Sequence, residues 1–315
     1  RGAIWYQGES NMGEGALYTE KTKALLQGWR GLWEDEFPYY FVQIAPFQYG
    51  NSPPEKLAEF WEAQAEIVKT IPNTGMAVIT DVTDLKDVHP RNKLVPGTRL
   101  ALLAEANTYG MDVVCTGPVY ERFDVAGDHL VVHFSVAEGL STRDGNAPAW
   151  FEMAGADGVF HEAEARIVGQ TVTLRADAVP APLVMRFAWH KLATPNLTNR
   201  SGIPAATFRA GELPLPEAIL SANIPEAQGF RTVYQITVEP GANYGNGRTP
   251  YDMDNRAGVG SFSKVAYFLE LLGKDGSTQY AFASMDAFTQ NVDQIGLPTA
   301  ASGAKFMQKV TGLRS

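Results

Sequence analysis

Cysteine, long apolar runs and clustered positive charge are scarce or missing in this 315-residue chain. The single Cys115 excludes an internal disulfide, and it lies in an apolar run where a buried structural thiol is expected. No run of about 18 apolar residues occurs, so we expect no membrane-spanning segment. The net charge is −9, and Lys and Arg form no cluster of the kind that binds phosphate. We therefore expect no nucleic-acid partner.

An initiator methionine is also missing. The chain starts with Arg1, and residues 2–6 are typical of a buried strand without a cap, turn or targeting signal before it. We therefore expect a fragment whose upstream portion is missing. A signal peptide would belong to that portion.

Residues 1–112 alternate between predicted strands and helices. Their short apolar runs are typical of parallel strands that are covered on both faces. In the first helix, Leu25, Trp29, Leu32 and Trp33 are spaced to share one buried face. Three strands are fewer than the about five of a doubly wound sheet, which agrees with a missing upstream portion. The predicted strands are 2–6, 39–44 and 76–80, and the predicted helices are 16–35, 54–70 and 93–108.

From Val113 onward the hydrophobic pattern is that of strands. Apolar and polar residues alternate over 128–134 and 170–175, with Gly or Pro about every 8–12 residues, as in a β-sandwich. A Pro-rich linker then precedes predicted strands at 231–238, 264–272 and 277–285, the last two joined by a turn at 273–276. We predict three domains: a sheet-and-helix domain over 1–112, a β-rich module over 113–210 and an additional all-β domain over 218–315.

His89 is the best candidate for catalysis among the five histidines. It lies in a polar loop after a predicted strand, and Asp87 and Asp84 precede it closely. A carboxylate bonded to one ring nitrogen fixes the tautomer and leaves the other nitrogen free to take a proton from a hydroxyl nucleophile. Spacing leaves either aspartate as the orienting acid, and Asp87 is the nearer. Together with Asp81 they also permit a metal site, but the further histidine ligands of a transition metal are missing nearby. We therefore expect no metal and no cofactor.

A second polar segment follows the first predicted strand directly, and it consists of Gln7, Gly8, Glu9, Ser10 and Asn11. Backbone and side-chain donors in such a position can stabilise an oxyanion or line a substrate site. A plain polar turn between a strand and a helix has the same composition. Since ligands of open α/β sheets bind at the carboxyl ends of the strands, we expect this segment and His89 to border one crevice.

Three segments follow one another in the order Gly2–Asn11, Tyr40–Pro46 and Asp87–Lys93, the last containing Asp-Val-His-Pro. Taken in this order, they resemble the sialate O-acetylesterase family of SGNH hydrolases. The resemblance covers about residues 1–210 and implies hydrolysis of an O-acetyl ester on a sialic acid or another sugar, by a serine nucleophile and without a metal. It also implies an α/β fold, a partial flavodoxin-like three-layer sandwich followed by β-sandwich-like modules, and an extracellular or periplasmic location. The matching blocks are 2–11, 28–30, 40–46, 80–81, 87–93, 189–199, 202–205 and 208–209.

The resemblance also assigns roles. His89 matches the family's catalytic base, Asp87 matches an aspartate before the histidine-proline pair, and residues 8–11 match the segment that lines the oxyanion site. The family's nucleophilic serine lies in an N-terminal motif, and no such motif stands upstream of these blocks. We therefore expect the serine in the missing portion. Ser10, in a local imitation of that motif, is the alternative nucleophile. The rival interpretation is a non-catalytic, esterase-like glycan-binding or scaffold protein.

Overall fold

The computed structural model describes residues 2–82, 84–213, 221, 224–237, 251–272, 278–296 and 311–314, with the backbone alone at 272, 278 and 311–314. The chain combines several β-sheets with a few helices and divides into two compact units, Arg1–Leu213 and Pro214–Ser315. Among these residues, every helix is too short or too polar to cross a membrane.

A three-stranded parallel sheet begins the first unit. Its strands, in spatial order, are β1 (Ala3–Trp5), β2 (Tyr39–Val42) and β3 (Thr74–Ala77). The prediction of 76–80 for the third strand is wrong at both ends. The ladder with β2 stops at Ala77, while the buried apolar residues continue through Val78 and Ile79. The apolar pattern therefore marks burial rather than strand pairing.

Three helices cover the two faces of this sheet, and their predicted positions are confirmed to within about two residues. They are α1 (Leu17–Trp33), α2 (Lys56–Thr70) and α3 (Leu94–Asn107). Side chains of β2 alternate between the faces. Tyr39 and Phe41 belong to the core that contains α1 and α2, whereas Tyr40 and Val42 pack with Leu103 of α3. Helices α1 and α2 thus pack with one set of β2 side chains and α3 with the other.

Helix α1 buries a face that its hydrophobic pattern does not predict. Arg30 is buried because its guanidinium donates to the carbonyl oxygens of Phe37 and Pro72, both at 2.9 Å. The prediction of a shared buried face is wrong for Leu32 and Trp33, which are 76% and 57% exposed. The buried residues of α1 are Tyr18, Thr19, Thr22, Leu26 and Arg30.

Ten short strands follow α3 and form a β-rich module. They are β4 (Val119–Ala126), β5 (His129–Ser135), β6 (Ser141–Thr142), β7 (Phe151–Ala154), β8 (His161–Glu162), β9 (Glu164–Val168), β10 (Thr171–Arg175), β11 (Val184–Phe187), β12 (Leu197–Thr198) and β13 (Phe208–Gly211). Two four-stranded antiparallel sheets have the orders β4-β5-β10-β9 and β13-β11-β7-β8, and β6 pairs with β12. The predicted strands over 128–134 and 170–175 are confirmed as β5 and β10.

One core joins this module to the parallel sheet. Val132 and Leu174 of one antiparallel sheet, Phe151 of the other and Phe41 of β2 all belong to the same buried cluster. Residues on both sides of the predicted boundary near 112 therefore share a hydrophobic interior.

The second unit contains antiparallel strands and a small buried cluster. Its strands are β14 (Tyr234–Gln235), β15 (Met253–Asp254), β16 (Lys264–Leu272), β17 (Thr278–Asp286) and β18 (Thr311–Arg314). The predicted antiparallel pairing of the 264–272 and 277–285 strands is confirmed as β16 and β17. The predicted turn at 273–276 lies outside the described residues. Among the described residues of this unit, Ile224, Ala227 and Phe282 form one buried cluster.

Candidate active site

The first polar segment, residues 7–11, leads from β1 into the 3-10 helix Glu9–Glu14. Gly8 is buried and has a φ of 149°, which residues with a side chain rarely adopt. A Cβ atom here would lie 2.9 Å from Phe60 Cε1 and 3.1 Å from Ile44 Cγ2. Glycine is therefore required for the chain to turn this closely against α2.

Hydrogen bonds fix the two ends of the first segment. Gln7 Nε2 donates to Asn11 Oδ1 at 2.7 Å, and the Tyr18 hydroxyl of α1 donates to the Gln7 carbonyl oxygen at 3.1 Å. Glu9 is half-buried and Ser10 is exposed. Gln7 and Asn11 thus brace the segment. The side chains of Glu9 and Ser10 have no hydrogen bond to another described residue.

Two tyrosines lie near the Glu9 carboxylate. Burial, with a smaller contribution from Glu9, raises the pKa of Tyr6 to about 12. The pKa of Tyr49 is also raised. Burial is the largest cause, and the charges of Glu9 and Tyr6 raise it further. Both hydroxyl groups are buried without a hydrogen-bond partner among the described residues. These phenols remain neutral at physiological pH and keep a free donor next to the carboxyl end of β1.

The second segment, residues 84–89, forms a tight turn beyond β3. Lys86 N donates to Asp84 Oδ1, and His89 N donates to Asp87 Oδ1, both at 2.9 Å. Each aspartate therefore caps the backbone two residues further on. His89 is exposed, and within the described part of the chain its imidazole has no hydrogen bond to either aspartate. Its orientation by Asp87, or by Asp84, stays a prediction.

A buried ion pair fixes the chain that leads into this turn. Arg99 of α3 donates from Nη1 and Nη2 to the two carboxylate oxygens of Asp81, each at 2.6 Å, and Nη1 also lies 2.6 Å from the Val78 carbonyl oxygen. The two side chains are 8% and 14% exposed. Because Asp81 is engaged in this bidentate pair, it does not serve the alternative of a three-aspartate metal site.

The two polar segments border the same edge of the parallel sheet. Lys93, the residue at the start of α3 shortly after His89, has its Nζ atom 4.8 Å from the centre of the Tyr6 ring. Tyr6 directly precedes Gln7. A cation over an aromatic face is attracted by the negative face of the ring. This contact connects the residues that flank His89 with those that flank the first segment.

A third element, which no sequence pattern indicates as part of the site, lies close to both segments. It is the loop 47–54 between β2 and α2, called the bridging loop below. Gln48 N donates to the Leu85 carbonyl oxygen at 3.3 Å, in the turn that precedes His89. Tyr49 is close enough to Glu9 and Tyr6 for their charges to raise its pKa further, after the main effect of burial. In the sequence, Pro53 and Pro54 mark this stretch as a loop, but nothing in it indicates which segments it contacts.

Relatives of the chain are carbohydrate esterases. It is 33% identical to sialate O-acetylesterase of Rattus norvegicus over 45% of the chain, and 31% identical to that of Homo sapiens over 40%. A crystal structure of a carbohydrate acetylesterase from Xanthomonas citri matches 66% of the chain at 38% identity, with a TM-score of 0.63. No family model matches.

The aligned regions are parts of longer proteins. They span 30% and 28% of the rat and human relatives and 49% of the Xanthomonas citri chain. The identity of over 30% with several named esterases and the structural likeness across 66% of the chain nevertheless agree on one family. Both comparisons support the sialate O-acetylesterase family of carboxylic ester hydrolases as the family of this chain.

Proposed function

We propose that this protein removes acetyl groups from O-acetylated carbohydrates, on sialic acid or on another sugar. The observation that carries the proposal is the contact of Lys93 with Tyr6, which joins the flanks of His89 and of residues 7–11 at one sheet edge in a chain related to acetylesterases. The fold proposed for the protein is a flavodoxin-like SGNH sandwich followed by β-sandwich-like modules. The proposed domain boundaries lie near residue 112 and between residues 210 and 218. The proposed location is extracellular or periplasmic.

In this mechanism a serine hydroxyl attacks the acetyl carbonyl carbon while its proton passes to His89. The imidazolium then returns the proton to the sugar oxygen as the ester C–O bond breaks, and water repeats the sequence to release acetate. The serine is expected from outside these 315 residues, with Ser10 as the alternative. Backbone and side-chain donors of residues 7–11 are suited to stabilise the oxyanion.

Asp87 is proposed to orient the histidine. Its Oδ1 atom accepts from the His89 backbone, which fixes the main chain beneath the ring, and Oδ2 lies 4.0 Å from Arg91 Nε. Oδ2 is the carboxylate oxygen proposed to accept from a ring nitrogen of the exposed imidazole. Catalytic hydrogen bonds are often long in unliganded sites and shorten when substrate binds.

Replacing His89 with Ala in the full-length protein tests the proposal. We expect the kcat for an acetyl ester to fall by about 10⁴-fold or more, because the members of a catalytic triad act as a unit. His129→Ala is the control, since His129 lies at the start of β5 and pairs with Asp128 on the surface. An H89A protein that kept most of the wild-type turnover would refute the assignment.

A further inference from the structure

The bridging loop is attached to the β-rich module through one residue, Lys191. The Lys191 backbone accepts from Phe47 N at 3.1 Å and donates to the Pro54 carbonyl oxygen at 2.7 Å. Its Nζ atom donates to the carbonyl oxygens of Gly50 and Ser52, at 2.9 and 2.5 Å. Four hydrogen bonds from a single residue therefore reach the first residue, the middle and the last residue of the loop.

The chemistry of this contact is unusual for a lysine. Lys191 is half-buried and has no carboxylate partner among the described residues, so its charge is directed at two backbone carbonyl oxygens. A compact ammonium with three donors suits this geometry. Hydrogen bonds with a charged donor are about twice as strong as neutral ones.

The loop also has a backbone shape that requires support. Tyr49 has a φ of 36° and the next residue, Gly50, a φ of 52°. A non-glycine residue in the left-handed region is strained, and it persists where the surroundings fix the chain. The lysine bonds supply that fixation on one side and the Gln48–Leu85 bond on the other. The hydrogen bonds on both sides thus fix the backbone on which Tyr49 lies.

We propose that the bridging loop forms one wall of the substrate site and that Lys191 is the positioning residue that sets it. This inference rests on the proposed esterase function and deepens it. The β-rich module takes part in substrate recognition through the loop, although it supplies none of the proposed catalytic groups. The part of the substrate that meets the wall is the sugar, because the acetyl group must lie at His89.

The test compares Lys191→Met, Lys191→Arg and the wild type in the full-length protein, on an O-acetylated sugar and on p-nitrophenyl acetate. For K191M we expect the KM for the acetylated sugar to rise at least about tenfold, and the kcat for p-nitrophenyl acetate to stay within about threefold of wild type. K191R should recover part of the loss, because a guanidinium can also donate to two carbonyl oxygens. Lys69→Met is the control, since Lys69 is 71% exposed and pairs with Glu66 on α2.

Hydrogen exchange measured by mass spectrometry supplies a readout that does not need activity. K191M should exchange faster in a peptide covering 47–54 and unchanged in peptides from β5 and β10. Unchanged exchange over 47–54, an unchanged KM for the sugar, or an equal fall of kcat for both esters would each overturn the inference. If the wild-type protein were inactive on both esters, the proposed function and the role of the loop as a wall of the substrate site would both be refuted. The exchange data would then still show whether Lys191 fixes the loop.

Discussion

Asp84 and Asp87 have nearly the same local structure, and this makes the choice between them testable. Each carboxylate accepts a hydrogen bond from the backbone two residues later. Asparagine preserves such a bond through its Oδ1 atom and removes the negative charge. A substitution to Asn therefore isolates the effect on the imidazole from the effect on the turn.

We expect Asp87→Asn to lower kcat on an acetyl ester by at least about 100-fold, because an uncharged amide neither fixes the productive tautomer nor stabilises the imidazolium. Asp84→Asn should stay within about threefold of wild type. Steady-state kinetics on the full-length proteins, with thermal unfolding to confirm intact folding, measure both. The reverse pattern would transfer the orienting role to Asp84.

At the scale of secondary structure, the pair of Arg99 and Asp81 connects α3 to the end of β3. Both side chains are nearly buried, so removing one leaves the other as an uncompensated charge. Arg99→Met should lower the free energy of unfolding by about 3–5 kcal/mol. Arg200→Met should lower it by less than about 1 kcal/mol, because Arg200 and Glu138 form a pair that is 73% and 72% exposed. Urea unfolding measures both changes, and equal effects would contradict the account.

The elements differ in how much of them the sequence could predict. The three helices are local consequences of spacing, turn residues and length, and their predicted positions agree with the structure to within about two residues. The buried face of α1 is not predicted by the sequence, since Arg30 is buried by carbonyl acceptors that belong to other parts of the chain. The spacing of hydrophobic residues along a helix does not reveal which distant carbonyl groups will bind a polar side chain.

The same limit applies to the candidate site. The chemical character of residues 7–11 and of His89 could be recognised from their position after strands, but the bridging loop could not. Its contacts depend on Lys191, which is about 140 residues away in sequence. The contact between Lys93 and the Tyr6 ring likewise arises only because the fold brings β1 close to the start of α3, and the sequence does not reveal it.

For the whole molecule, buried tyrosines predict a loss of stability at alkaline pH. Burial raises the pKa of Tyr6, Tyr39 and Tyr49 in the folded protein, whereas an unfolded tyrosine titrates near 10. Below pH 10 both states are protonated and this stabilisation is fully present. As the pH rises from about 10 towards 12, the unfolded state loses protons that the folded state retains, so stability falls.

Urea midpoints between pH 8 and 11.5 measure this dependence. We expect a decline that begins near pH 10 and that becomes less steep in Tyr6→Phe, since that variant lacks one of the shifted phenols. Phenolate absorbance of the folded protein should rise late in the same titration. A flat midpoint up to pH 11.5 would contradict the prediction.

The hydrophobic interior shared by the parallel sheet and the β-rich module has a consequence for biosynthesis. Leu197 and Ala205 belong to the same core as Phe41 and Phe60, and the bridging loop receives its lysine bonds from residue 191. Domains ordinarily fold in turn as they leave the ribosome, at about 5–20 residues per second. Here roughly 100 further residues must be added after His89 before Lys191 can bond to the bridging loop. During that interval of seconds the unfinished core is exposed, and a chaperone that recognises apolar segments has its best opportunity to bind.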